Sequence, residues 1–276
     1  MLAMLAAMLL FPQVCIAAAA QALRIWALDV VPSLFPYMVL SRLLAQRLSA
    51  AGIPGALSAP LFGLLGGSPS GACALSVCAQ EGRLSSRALH VLSALCGTIS
   101  PMFFLGTIAR WTGDAALARK LLAAHLIGAG YAALVVLALS ALHKRRPVST
   151  KQESTGASDS PIVQSVDAVL GVGGCILFYS VLAALVSRIL PASLEPYRPV
   201  LHAALETAGG THALLASSWP LRTKAVLCAA LCGFSGFSIL TQNAIFLRPL
   251  GIPVRRLILY GLLRAMGAGT AMALML

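Results

Sequence analysis

Glu206-Thr207-Ala208-Gly209-Gly210-Thr211-His212 interrupts an apolar run that extends from Leu201 to Ser217. That run is shorter than the roughly 20 apolar residues a helix needs to cross a bilayer. Paired glycines and a carboxylate at its middle break the helix further. A second such run, Leu57 to Ala79, is broken by Gly66-Gly67-Ser68-Pro69-Ser70-Gly71. Irregular backbone at membrane depth must be buried in protein or line a wet cavity. Both runs are therefore read as re-entrant helical hairpins, each with its tip near the bilayer midplane.

The rest of the chain supplies the membrane context. Of 276 residues 59% are hydrophobic and only 10% charged, against about 25% charged in soluble domains. Full-length spans are expected at Leu2–Leu23, Ile25–Leu44, Arg87–Ile108, Leu117–Leu142, Ile162–Leu190, Lys224–Leu247 and Leu257–Leu276. The fold class is an all-α polytopic membrane protein, with about seven transmembrane helices plus two re-entrant hairpins. The net charge of +12 resides at the ends of apolar runs, where membrane anchors sit. A nucleic-acid partner needs basic residues clustered on a wet face, and none is expected. The lipid bilayer is the expected environment. The start of the chain lacks the positive charge of a signal peptide, so Met1–Leu23 is read as a retained span that tolerates Pro12.

Ala94-Leu95-Cys96-Gly97 recurs as Ala230-Leu231-Cys232-Gly233, and both halves run span, hairpin, interrupted span. The parts are an N-terminal helix at 1–23, a first repeat at 24–143, a linker at 144–161 and a second repeat at 162–276. Two full spans separate the leading spans of the repeats, and hairpins add no crossing. The repeat is therefore inverted, a pattern that points to secondary transporters. Lys144, Arg145, Arg146 and Lys151 place the linker in the cytoplasm, with the N-terminus inside and the C-terminus outside.

Two further breaks fall inside spans, at Gly97-Thr98-Ile99-Ser100-Pro101 and at Gly233-Phe234-Ser235-Gly236-Phe237-Ser238. Four broken elements meeting at one depth expose backbone dipoles and hydroxyls to a solute. The candidate binding residues are Ser68, Pro69, Ser70, Gly71, Thr98, Ser100, Pro101, Glu206, Thr207, Gly209, Ser235, Gly236, Ser238 and Gln242. Glu206 stands out among only eight carboxylates, because an acid at membrane depth costs about 2.5–3.5 kcal/mol. It is read as a coupling-ion ligand, a proton carrier or a substrate partner, with His212 as a potential companion. The coupling ion would be Na+ or H+. At least one of Gln242 and Asn243 should face the interior. Arg264, inside the last span, is read as pairing with a carboxylate or facing an anion. Asp29 and Asp167 are read as interfacial or helix-N-terminal.

Enzymatic chemistry is not expected: no nucleophile–base spacing or phosphate loop stands out, and the Gly-rich run lacks the Lys-Ser/Thr of a P-loop. The seven cysteines include no C-x-x-C pair, so neither a metal nor another cofactor is expected.

At these motifs the sequence resembles the YlbJ-type sporulation integral membrane proteins. Gly66 to Ala72 resembles their S-G-Y-P-x-G-A, Thr98 to Phe103 their T-S-x-P-x-F, Glu206 to Gly210 their E-x-T-x-G, and Gly233 to Gln242 their G-F-G-G-x-S-V-x-x-Q. The resemblance runs in order from about Leu23 to the C-terminus. Ser68 stands where Tyr is usual, Cys73 where Lys is common, Gly97 for Asn and Ala208 for Thr. The family is classed with nucleoside recognition (gate) domains, related to concentrative nucleoside transporters. The resemblance implies a role in endospore formation and export of dipicolinate, a small anion, from the mother cell across the mother-cell-derived forespore membrane. A nucleoside-type carrier and a non-transporting scaffold are the alternatives. A homo-oligomer is compatible with the family.

Overall fold

The computed structural model describes residues 2–51, 60, 63–80, 84–140 and 160–276. Among these residues every regular element is helical. The linker at 144–161 lies outside them apart from Ser160 and Pro161, as does most of the stretch from residue 57 expected to form the incoming arm of the first hairpin.

Helix α1 (Leu2–Leu10) stops at Phe11, and Pro12 opens α2 (Pro12–Ile25). Proline suits a helix's first turn because its missing N–H has no intrahelical role there. From α2 the chain passes through a π-helical turn, Trp26–Val30, into α3 (Val31–Ala50). This corrects the expectation of separate spans at Leu2–Leu23 and Ile25–Leu44. Pro12–Leu44 forms one apolar helix of 33 residues, about 50 Å long at 1.5 Å per residue. Arg24 is exposed on its side. A charge ends a span only where something also breaks the backbone, and Leu23-Arg24-Ile25 holds no breaker. The boundary drawn between residues 23 and 24 falls inside this helix.

After the first hairpin's outgoing arm, α4 (Ser70–Gln80), comes α5 (Ser86–Cys96). Its N-cap, Ser85, accepts from the Ala88 amide at 3.2 Å. Residues 97–100 are non-helical and buried, and helix resumes at Pro101 through a π-helical turn, Phe103–Ile108, into α6 (Ala109–Thr112). The expected span Arg87–Ile108 is thus two short helices around a break. Helix α7 (Ala115–Ser140) is capped by Asp114, whose Oδ1 accepts from Ala116 and Leu117 at 2.8 and 2.9 Å. Helix α8 (Pro161–Ile189) follows. Among the described residues five helices are long and apolar enough to cross a membrane, against the seven spans expected. The difference is the merged first pair and the divided Arg87–Ile108 segment.

The second hairpin is α9 (Arg198–Leu205) and α10 (Thr207–Ala216), joined at an extended Glu206. Their lengths of 8 and 10 residues make each about 12–15 Å long, half or less of the roughly 30 Å hydrocarbon core. The arms lie so close that a Cβ on Gly210 would overlap the Ala203 backbone. Their outer ends return to one place, where Tyr197 and Trp219 stack edge to face at 5.7 Å. Helix α11 (Leu221–Phe234) and α12 (Gly236–Leu247) meet at Ser235, a non-glycine residue in the left-handed region with φ 73°. The last helix, α13 (Val254–Met275), packs between α7 and α11.

Large apolar side chains project outward along the long helices, among them Leu28, Leu134, Leu170 and Leu262. Such a belt has no aqueous rationale and suits lipid contact. The interior holds small residues at helix contacts and buried polar groups at the breaks, the composition expected of helix packing in a membrane.

Candidate functional site

The four interruptions come together. The first hairpin's tip bonds to the first break through the Ser68 amide, which donates to the Thr98 carbonyl at 2.8 Å. Gly67 at this tip has φ +65° and is pressed so close that a Cβ would stand 2.5 Å from the Ser100 nitrogen. Thr98 Oγ1 donates back to Gly63 at 3.3 Å. Across the two repeats, Ser68 Oγ donates to Asn243 Oδ1 at 2.8 Å and Ser235 Oγ to the Gly97 carbonyl at 3.2 Å. The second hairpin's tip closes the ring: a Cβ on Gly236 would lie 2.6 Å from Thr207 Oγ1.

Glu206 is 1% exposed. Its side chain serves as the N-cap of α10, accepting from Ala208 at 2.8 Å and from Gly209 at 2.6 Å. These amides are orphan donors of the helix start, and Glu206 satisfies two of them. Among the described residues Glu206 pairs with no cation.

The breaks enclose a cavity of about 50 Å³. Ser68, Ser100, Glu206, Thr207, Ser238 and Gln242 line it, with Ser33, Ala208 and an apolar wall of Val30, Leu34, Ile99, Phe103, Val172, Ile176 and Ile239. Three of the polar groups have buried oxygens without a partner: Ser100 Oγ, Thr207 Oγ1 and Gln242 Oε1. An unpaired buried polar atom costs about 1–3 kcal/mol, so their collection at one void makes this the candidate site. No Lys, Arg or His is among the described residues that line it. At about 10–15 Å³ per water the void holds a few waters. It is far below the roughly 300 Å³ at which small-molecule pockets begin.

The other sequence candidates surround the cavity without lining it. Pro69 follows Ser68 through a cis bond in the tip, and Pro101 starts the helix after the first break. Gly71 packs on Gly63. Ser70 is buried with an unpartnered hydroxyl. Thr98, Gly209, Ser235 and Gly236 are engaged in the backbone contacts above. Both Gln242 and Asn243 are buried. His212 does not join Glu206. It packs on Trp111, with ring centroids 4.9 Å apart, beside a separate pocket of about 260 Å³ that also touches Asp114 and Lys224. Asp29 is not at a helix start: it lies midway along the Pro12–Leu44 helix, where it pairs with Arg110 and accepts from Trp111 Nε1 at 3.0 Å. Arg264 faces neither a carboxylate nor the cavity. Its Nε donates to Gly233 O and its Nη1 to Ala94 O, each at 3.1 Å.

Sequence reasoning missed the walls given by α3 and α8 and the role of His125. That residue is fully buried on α7, and its Nε2 accepts the Ile99 amide at 3.1 Å within the first break. A single polar residue inside an apolar span was the available signal. Ser33 gave the same signal in its run. Its hydroxyl bonds to Thr107 Oγ1 at 2.9 Å and back to its own helix at Asp29 and Val30.

Sequence comparison aligns 84% of this chain with 70% of the sporulation integral membrane protein YlbJ of Bacillus subtilis, at 25% identity. The chain is a distant homologue of that protein. Coverage on this scale takes in both halves of the chain, so the relationship is not confined to one hairpin. The described residues of this chain include five helices long and apolar enough to cross a membrane, in keeping with the integral membrane protein it resembles. No family model matches the sequence. No solved structure matches it.

Proposed function

We propose that the protein is a secondary carrier that moves a small polar metabolite across a membrane during endospore formation. The observation that carries this reading is the cavity where the four interruptions meet, lined by Ser100, Thr207 and Gln242, whose side-chain oxygens are buried without a partner. A scaffold gains nothing from three unpaired buried oxygens around one void, each of which costs stability. In this reading the two hairpins are re-entrant, the repeats are inverted, and the site alternates between the two sides of the membrane.

Dipicolinate is the first candidate solute, from the sporulation context. Glu206 and the absence of a basic lining residue set a condition on it. A dianion beside an ionised carboxylate is repelled, and the helix-start amides that would greet an anion are already taken by Glu206. Dipicolinate would therefore enter with Glu206 neutralised by one Na+ or H+, the coupling ion, and with its own two carboxylates neutralised by two further protons or cations. A neutral nucleoside is the second reading. It is favoured by the same acceptor-rich lining, since its hydroxyls and amide groups donate to Glu206 and Gln242.

Uptake of labelled dipicolinate and labelled uridine into proteoliposomes of the purified protein, with and without a Na+ or proton gradient, tests the proposal. Accumulation of either solute supports a carrier, and the solute taken up selects the reading. Flux of both equal to that of empty liposomes contradicts it.

A further inference from the structure

Arg264 is 1% exposed, at the middle of an apolar helix, and no ion pair holds it among the described residues. A buried guanidinium at this depth is costly and needs a reason. Its partners supply one. Nε donates to the Gly233 carbonyl and Nη1 to the Ala94 carbonyl, both at 3.1 Å. Ala94 lies in the last turn of α5 and Gly233 in the last turn of α11. Carbonyls of a last turn lack intrahelical partners and carry the negative end of the helix dipole. One side chain thus caps two helices from a third.

The placement follows the repeat. Ala94 opens the first copy of the Ala-Leu-Cys-Gly tetrapeptide and Gly233 closes the second. Just past each carbonyl the chain breaks and then lines the cavity, with Ile99 and Ser100 on one side and Ser238 and Gln242 on the other. Space at the first break is cut to fit the guanidinium: a Cβ on Gly97 would stand 2.9 Å from Arg264 Nη1. A direct link runs alongside, from Ser235 Oγ to the Gly97 carbonyl at 3.2 Å.

We infer that Arg264 is a positioning residue that joins the two breaks into one unit, and that solute affinity depends on its two-pronged geometry rather than on its charge. The inference rests on the carrier reading. Arginine suits the task because its planar fork presents several N–H groups in fixed directions, whereas a lysine ammonium acts as a compact point charge. Arg264 does not touch the cavity, so it acts through the backbone of the breaks.

The test uses the full chain in proteoliposomes, with dipicolinate and uridine as probes and Arg264→Lys, Ser235→Ala and the double variant. Since a misplacement of about 1 Å in a site is worth up to about 100-fold, R264K is expected to raise KM by about tenfold with maximal rate held within about twofold. S235A is expected to raise KM by a smaller factor. The double variant should raise KM by less than the product of the two, as residues serving one contact do. A KM for R264K within twofold of the parent overturns the inference, and so do factors that multiply. An unchanged KM with R264K but a loss with Arg264→Gln assigns the residue to charge instead. Reduced maximal rate and Tm at constant KM assigns it to folding alone. Should R264K fail to fold, an unchanged KM in S235A overturns the linkage. Absence of uptake by the parent defeats the carrier reading and with it the positioning role. The same double-variant cycle read in Tm then reports the linkage by itself, and additive Tm shifts remove it.

Discussion

Ser68 Oγ donates to Asn243 Oδ1 at 2.8 Å, tying the first hairpin's tip to the helix behind the second break. Asn243 is buried, so removing its donor leaves a buried acceptor unpaired. Ser68→Ala is expected to cost about 1–3 kcal/mol, seen as a lower Tm of the detergent-purified protein. An unchanged Tm would show that the link is not made.

The unpartnered hydroxyls should behave in the opposite way. Thr207→Val keeps the side chain's shape and Ser100→Ala removes an oxygen that bonds to nothing in the protein. Stability should rise, by up to about 1–3 kcal/mol, because an unpaired buried oxygen is removed. Solute uptake should weaken by about threefold to tenfold at low concentration, the worth of a neutral hydrogen bond. A large fall in Tm with unchanged uptake would place these oxygens in the scaffold.

Glu206 has two tasks, which two substitutions separate. Glu206→Gln keeps an oxygen for capping α10 but removes the charge. It should insert normally and lose uptake by on the order of tenfold to a hundredfold, the range for a hydrogen bond to a charged group. Glu206→Ala loses the cap as well and should cost a further ~0.5–2 kcal/mol of stability. Normal uptake by both variants would remove Glu206 from the site.

The hairpin itself is tested at Gly210. A Cβ there meets the Ala203 backbone, which cannot turn aside as a side chain can. Gly210→Ala should force the arms apart at a cost of about 1–3 kcal/mol, measured by thermal unfolding. Wild-type stability would mean that the arms pack more loosely than described.

Much of this architecture was legible in the sequence, and the reasons for the rest are physical. Gly, Pro and small polar residues inside apolar runs announced all four interruptions, because such residues cost a helix its backbone bonds or its entropy. The count of spans failed at Arg24, where charge was read as a boundary although the backbone had no cause to break. Placement of side chains around the site was less legible. Spacing marks where a chain breaks but not which way a hydroxyl turns, so Thr98 and Ser235, which brace the breaks, could not be told from Ser100 and Thr207, which face the cavity. Arg264 was visible as an anomaly, yet its partners are main-chain carbonyls of helices distant in sequence, which leave no side-chain signature. Val172 and Ile176 could not have been singled out, since an apolar residue lining a cavity reads like any other in a span.

Uptake by proteoliposomes bearing the parent protein or Glu206→Gln, supplied in turn with labelled dipicolinate and labelled uridine under an imposed Na+ or proton gradient, tests the carrier reading most directly. Gradient-dependent accumulation of one solute by the parent, reduced at least about tenfold by loss of a single charged contact, is the predicted result. Flux indistinguishable from empty liposomes for both solutes under either gradient would contradict it.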